Sequence, residues 1–343
     1  MVTSEQVAKL AGVSRATVSR ALNGSANVSE ETRQRILEAI ASLGYEPNVV
    51  AQNLARQRSR VIAFALFTDD QRKLMEFEQT QHYFYLGVIN AVEHAITSAG
   101  YDLFFPARAE DGSYGNYLRT LQSRRVAGVI AISIAQSDPR IQALVNSNLP
   151  TVFIDNMGQG KRATYVKSDN LHGGRMAMEY LLQLGHRRIA IMPGNTADLS
   201  GAERLLGCQQ GLAKAGLVAD PDLICVSDWT TEDAYHATIK LLKQRRDFTA
   251  IAAGSDMMAM GVLRALHEYG IRIPEEVSVI GFDDLDISRF MEPPLTTVRQ
   301  DRLVMSQSAV QKLITMIEEG ETPAPLTIPM QLVVRASTGP APA

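Results

Sequence analysis

"VAKLAGVSRATVSRALNGSANVSEETRQRILEAIASLG", residues 7–44, reads as three helix-length segments with a start and a stop signal at each. Thr3 with Gln6 forms a capping box ahead of the first, whose Val7, Ala8 and Leu10 give a short apolar face and which Gly12 stops. Ser14 caps the second, "RATVSRALNG", and Asn23-Gly24 closes it. The third starts at the Ser29 cap, carries Ile36, Leu37, Ile40 and Leu43 on one stripe, and ends at Gly44. Two short helices joined around a glycine and backed by a third describe a helix-turn-helix.

In that fold the second helix enters the major groove, so its exposed side chains carry the chemistry. Arg15 and Arg20 place two guanidiniums there, suited to bidentate bonds with guanine O6 and N7, and Ala16 can touch a thymine methyl. Thr17 and Ser19 are small hydroxyls fitted to phosphate contacts or helix packing, while Val18 and Leu22 read as core. The competing reading is a small helical domain whose arginines are merely solvated. Downstream, "YEPNVVAQNLARQRSR" (45–60) offers a helix start at Pro47-Asn48 and then only two turns. Such a helix needs DNA or a symmetry mate to hold it, and Leu54 is then the apolar wedge for the minor groove; the alternative is a plain linker.

The charge is divided accordingly. The first sixty residues hold eight basic side chains against five acidic ones, so the remainder carries −6 of the chain's net −3. A small basic head that approaches DNA and an acidic body that stays away fit this asymmetry. Two cysteines, Cys208 and Cys225, make neither a disulfide scaffold nor a metal pair. No signal-peptide pattern opens the chain and no apolar run has membrane-spanning length, which points to the cytoplasm and to no membrane partner.

From residue 61 short apolar, β-rich runs alternate with helical stretches, the sequence form of mostly parallel sheets covered by helices. "VIAFALF", "DLFFPA", "VAGVIAIS" and "PTVFIDN" read as strands of a first unit. The rhythm restarts near residues 160–165 with "ATYVKSD" and continues through "RIAIMPG", "DLICVS", "AIAAGS" and "VSVIGFDD". Two doubly wound blocks of this kind bind a ligand between them, near the C-terminal ends of strands. No catalytic arrangement emerges: "PGNTADLSGAER" lacks GxGxxG spacing, there is no Walker lysine, no GxSxG elbow and no HExxH among six scattered histidines. No cofactor is expected.

The headpiece string, followed in order by "SDNLHGG", "LLQLGHRRIA", "IPEEVSVIGFDD", "PPLTTVRQD" and "LVVRAST", resembles the lactose repressor and galactose repressor family of bacterial transcription factors over residues 2–338. The resemblance implies an all-α helix-turn-helix headpiece with a hinge helix, followed by two doubly wound α/β lobes resembling a periplasmic sugar-binding protein. It implies a repressor, working as a homodimer on a palindromic operator, with allosteric control by a sugar or related effector in the cleft. Arg15, Ala16 and Arg20 then face the major groove and Leu54 the minor groove, within a DNA-contacting set that also takes in Thr3, Ser14, Thr17, Ser19, Asn23, Asn48 and Ala51. A phosphorylated sugar or a purine is the alternative effector, and a ligand carrier without gene control is the alternative of a different class.

The corresponding domains are 1–46 for the headpiece, 47–60 for the hinge, 61–162 plus 294–325 for the first lobe, and 163–293 plus 326–338 for the second. The last helix, "DRLVMSQSAVQKLITMIEEG", returns to the first lobe, and "LTIPMQLVVRAST" supplies an edge strand near the second. Candidate ligand residues are Tyr83, Phe84, Asp155, Arg204, Trp229, Ser255, Asp256 and Asp283, with Tyr85, Tyr114 and Tyr117 as further lining or packing aromatics. Asp283-Asp284 closes a strand, where carboxylates accept hydrogen bonds from sugar hydroxyls. Arg204 matches the family's cleft arginine, and Trp229 offers a ring face for stacking. For each, a structural role is the alternative: a helix cap for Asp256, a surface ion pair for Arg204, core packing for Trp229. Two departures stand out: "TDDQRKLMEFEQTQHYFYLG" (68–87) lengthens a connection and has His82 before Tyr83-Phe84 with no proline, and Met305-Ser306 replaces a common glycine. No leucine heptads follow "LVVRAST", so a dimer rather than a tetramer is expected.

Overall fold

The computed structural model of the chain describes residues 2–22, 27–45, 59–66, 83–106, 117–132 and 138–342. It forms two compact units, Met1–Arg60 and Val61–Ala343.

In the first unit, α1 (Ser4–Ala11), α2 (Arg15–Leu22) and α3 (Glu30–Leu43) enclose a small core of Val7, Ala8, Val18, Ala21, Ile36 and Ala39. The start signals work as read. Thr3 and Gln6 bond reciprocally, Ser14 Oγ accepts the Thr17 N–H at 3.1 Å, and Ser29 Oγ accepts that of Thr32 at 3.3 Å. Gly12 and Gly44 close their helices in the left-handed conformation, at φ 64° and 59°. Arg33 Nη1 donates to the Ala21 carbonyl at 2.9 Å and so pins α3 to the open end of α2. Leu10 and Leu37 depart from the expected core: they are 57% and 48% exposed. Helices this short bury one narrow stripe, here 7, 8 and 11 on α1 and 36 and 39 on α3, and both leucines lie beside it. Asn23, Asn48, Ala51, Leu54 and the hinge segment 46–58 lie outside the described residues.

The body opens with β1 (Val61–Leu66), α4 (Tyr83–Ser98), β2 (Asp102–Phe104), α5 (Tyr117–Ser123), β3 (Gly128–Ile132), α6 (Pro139–Val145), β4 (Thr151–Ile154) and β5 (Ala163–Ser168). It continues with α7 (Asn170–Gln183), β6 (Ile189–Met192), α8 (Leu199–Lys214), α9 (Thr231–Gln244), β7 (Ala250–Ala253), α10 (Asp256–Glu268), β8 (Ser278–Asp283) and β9 (Thr296–Arg299). Last come α11 (Arg302–Glu318), β10 (Leu326–Ile328) and β11 (Gln331–Val333). One sheet has six parallel strands in the order β10-β5-β4-β3-β1-β2. The other has five, β11-β9-β8-β7-β6, antiparallel only at β11. Helices cover both faces of each, so central strands such as "GVIAI" and "AIAA" are buried throughout.

The chain passes between the lobes three times, after Ser168, after Arg299 and between Ile328 and Gln331. These crossings correct the lobe boundaries read from the sequence, each by one strand. β5 pairs with β4 in the first sheet (Val152 opposite Thr164), β9 pairs with β8 in the second (Ile280 opposite Thr296), and β10 pairs with β5 in the first (Leu326 opposite Val166). Alternation of strand and helix orders the elements without saying which sheet a strand joins, and all three strands immediately precede a crossing. "LTIPMQLVVRAST" accordingly gives two strands, one on the edge of each sheet. The expected strand "DLICVS" is instead a 3-10 turn at Pro221–Leu223 with a single bridge, Ile191 to Ile224.

The last long helix, α11, does pack into the first lobe, through Met305, Ala309, Val310, Leu313 and Met316. Ser306, at the position of the missing glycine, is buried and donates to the Val88 carbonyl at 3.3 Å. In the second lobe α7 and α8 meet through two glycines. A Cβ on Gly174 would lie 2.3 Å from the Arg204 carbonyl oxygen and one on Gly207 2.1 Å from that of Leu171, so no larger residue allows this approach. That contact sets the position of the helix that carries Arg204.

Candidate functional site

A cleft opens between the lobes at the C-terminal ends of strands. The first lobe contributes Phe84 and Tyr85 from α4 and Asp155 from the end of β4; the second contributes Asp198, Leu199, Ser200, Arg204, Trp229, Ser255, Met257 and Asp283, with Gln300 at the crossing.

Arg204 organises this surface. It is buried, its Nε donates to Asn170 Oδ1 at 2.9 Å, its Nη1 donates to the Gly254 carbonyl, and its guanidinium lies 3.9 Å from the Phe282 ring centre and 5.2 Å from that of Trp229. Burial pulls its pKa down, against the opposing pull of Asp283 and Asp155. Trp229 is oriented in turn: its Nε1 donates to Asp198 Oδ2 at 2.7 Å. Its ring lies over Gly194, at φ 84°, where an added Cβ would come within 2.5 Å of the ring.

The carboxylates stand on unusual backbone. Asp155 has φ 55°, Asp283 117° and Asp284 54°, conformations that cost a residue with a side chain about 1–3 kcal/mol each. Asp155 sits at a bend just after β4, and Asp283 and Asp284 at the end of β8. Asp155 Oδ1 accepts the Ser168 N–H at 3.2 Å; burial raises its pKa, opposed by that bond and by Arg204. Asp283 Oδ1 accepts from Gln300 Nε2 at 2.6 Å, and burial pushes its pKa up to about 7 against the attraction of Arg204. Asp284 turns away from the cleft to Arg299, at 2.6 Å, and to Arg335.

The structure thus brings Phe84, Asp155, Arg204, Trp229, Ser255 and Asp283 to one cleft. Ser255 also caps α10, accepting the Met258 N–H at 3.1 Å. Tyr83 stays on the exposed side of α4 and Tyr117 packs into the first-lobe core; neither lines the cleft. Asp256 is a correction. Its Oδ2 accepts the Leu285 N–H at 2.8 Å and the Ser288 hydroxyl, and its Oδ1 accepts the Thr297 hydroxyl at 2.6 Å, so the carboxylate is used up tying α10 to the loop after β8 and to β9. Asp198, Leu199, Ser200, Met257 and Gln300 complete the lining without having been singled out in the sequence. Asp198 had a signal, as the cap position before α8; Gln300 had none. Tyr114 and the segment 68–82 lie outside the described residues.

In the headpiece, Arg15, Ala16, Ser19 and Arg20 form the exposed face of α2, with Arg20 Nε donating to the Ala16 carbonyl at 3.3 Å. Thr3 and Ser14 are exposed as caps, and Thr17 is half-buried with its hydroxyl 2.8 Å from that of Ser14.

An exposed basic helix in a helix-turn-helix, followed in the chain by two α/β lobes around a polar cleft, defines the class of ligand-responsive DNA-binding regulators. Residues 4–48 match the bacterial regulatory proteins of the lacI family, and residues 178–338 the periplasmic binding protein-like domain. The chain is 36% identical to the HTH-type transcriptional regulator CelR of Thermobifida fusca over 343 residues, 98% of each chain. It is 32% identical to the HTH-type transcriptional repressor PurR of Glaesserella parasuis over 345 residues, again 98% of each. Among solved structures, a CelR–cellobiose complex superposes with a TM-score of 0.73 at 34% identity, covering 98% of this chain and 100% of that one. The lac repressor dimer bound to operator and the anti-inducer ONPF superposes with a TM-score of 0.84 at 28% identity, covering 98% and 99%. The chain belongs to the lacI family of bacterial regulatory proteins and is a DNA-binding transcription regulator. No helix among the described residues is long and apolar enough to cross a membrane.

Proposed function

We propose that this regulator is a dimeric, operator-binding repressor whose hold on DNA is set by an uncharged, hydroxyl-rich ligand, a sugar, bound between the lobes. The observation that carries this reading is the charge balance of the cleft. Among the described residues one cation, Arg204, lines it together with three carboxylates, Asp155, Asp198 and Asp283. A sugar phosphate would bring its negative charge to one cation among three carboxyl groups, two of which, Asp155 and Asp283, burial pushes toward the protonated form, whereas hydroxyls bond to the cation and to carboxyl groups in either state. Phe84, Tyr85 and Trp229 supply faces for the C–H surface of a sugar ring. CelR, solved with cellobiose, is a relative over the whole chain. Arg15, Ala16 and Arg20 take the base-reading role in the headpiece.

Titration calorimetry of the full chain against cellobiose, glucose, glucose 6-phosphate and purine bases tests the ligand class. Operator fragments selected from a random duplex pool, with and without the ligand found, then give the sign of control. Binding of a sugar that changes operator affinity is the expected result. Binding of a purine alone, the ligand class that the PurR relatives' name points to, would replace the sugar reading and leave the DNA-binding one in place.

A further inference from the structure

Lys167, near the end of β5 in the first lobe, forms an ion pair with Glu203, in the N-terminal half of α8 in the second. The side chains are only 12% and 18% exposed. Among the described residues this is the one ion pair that joins the lobes: Arg140–Asp138 lies within the first, and Arg245–Asp220, Arg299–Asp284 and Arg335–Asp284 lie within the second. Its position in the fold is also specific. Lys167 is separated from the first crossing only by Ser168, and Glu203 is the residue before Arg204. Both charges act on Asp155, Lys167 favouring its ionised form and Glu203 opposing it. Glu203 Oε2 is buried without a hydrogen-bond partner, so Lys167 carries the neutralisation of that carboxylate.

We propose that Lys167–Glu203 is a latch that selects the lobe arrangement described above and thereby tunes the affinity of the cleft for its ligand. A pair this well shielded is made or broken as a whole. When α8 stays against β5 the two charges neutralise each other, and when the lobes part each must be solvated separately. A ligand in the cleft bridges the same two bodies, touching Asp155 and Phe84 on one side and Arg204 and Trp229 on the other. The pair and the ligand therefore favour one arrangement, and each strengthens the other through it. The inference extends the effector-cleft reading but does not depend on which ligand fills the cleft.

The test reads the distance between lobes directly. Spin labels are placed at E93C on α4 and K243C on α9, both exposed positions, in the full chain carrying Cys225→Ser, diluted into unlabelled protein so that only distances within one chain count. The parent and K167R, which keeps the charge, should show one narrow distance population. K167M and the near-isosteric E203Q should show a longer or broader one, and should bind cellobiose about tenfold more weakly than K167R. Distance distributions of folded K167M and E203Q that coincide with the parent would overturn the latch; if K167M does not fold, E203Q decides alone. Cellobiose binding to none of the four chains would count against the sugar reading, while the distances still decide the latch.

Discussion

The indole N–H of Trp229 is held by Asp198 Oδ2 at 2.7 Å, so the single tryptophan of this chain has its orientation set by a carboxylate of the same cleft. Ligand occupancy should therefore be readable as a change in intrinsic fluorescence, with no label. Trp229→Phe keeps an aromatic face but gives up the bond, and should weaken ligand binding by about 1 kcal/mol, roughly fivefold. An emission spectrum indifferent to a ligand that calorimetry shows to bind would place that ligand elsewhere.

Arg204→Ala should damage stability and ligand response together. It leaves Asn170 Oδ1 and the Gly254 carbonyl without their donor and Asp283 without its nearby cation. Removing one partner from such a buried set costs about 3–5 kcal/mol. Thermal unfolding of the full chain measures it, and a loss under about 1 kcal/mol would mean that water replaces the guanidinium cheaply.

Asp256→Ala and Asp283→Ala should fail in different ways. The first strands the Leu285 N–H and the Ser288 and Thr297 hydroxyls, so it lowers stability strongly, by about 3 kcal/mol or more. The second removes a cleft carboxylate held by one bond from Gln300, so the larger loss is ligand affinity. Unfolding curves beside ligand titrations separate the two, and the opposite pattern would exchange their roles.

The two buried acids also set a pH response. Burial holds Asp283 up at about 7 and Asp256 at about 6, while an unfolded chain releases these protons near pH 4. Between those limits the folded state binds more protons, so this contribution to stability is complete at low pH and is lost as pH rises toward about 7. Glu268, bonded by Tyr235 and Arg264, and Glu276, bonded by Arg272, act in the reverse sense and protect the fold until acid protonates them. Asp283→Asn removes one of the contributions that fade as pH rises, so between pH 5 and 8 its melting temperature should fall less than that of the parent, by about 2–4 °C. Parallel curves across that range would exclude a buried protonated Asp283.

For the headpiece, Arg15→Ala should cost about 1–3 kcal/mol on the selected operator and much less on random duplex, measured by fluorescence anisotropy at fixed salt. Equal losses on both would assign Arg15 to phosphates rather than bases.

Much of this architecture was legible before the structure. Caps at Thr3, Ser14 and Ser29 and the glycines at 12 and 44 marked helix ends because their chemistry is local. Strand and helix periods in the body were equally local and, apart from "DLICVS", were read with boundaries close to those found. What the sequence could not carry was partnership between distant segments. β5, β9 and β10 look like any other strand, and only their ladders reveal which lobe owns them. Asp256 and Asp283 both stand beside strand ends, yet one carboxylate is consumed by three donors from elsewhere in the chain and the other faces the cleft. Gln300 became visible only because Asp283 accepts from it.

The three crossings also impose an order on synthesis. The first sheet begins with β1 to β5, but its edge strand β10 and the helix α11 that covers it lie beyond almost all of the second lobe. During translation the stretch from α7 to β9 can assemble its four parallel strands while the earlier lobe still lacks a covering layer. The apolar residues of the first sheet that await Val310, Leu313 and Met316 are therefore exposed for the longest part of the chain's emergence. Ribosome-bound chains stalled near residue 300 are where this protein should most need a chaperone.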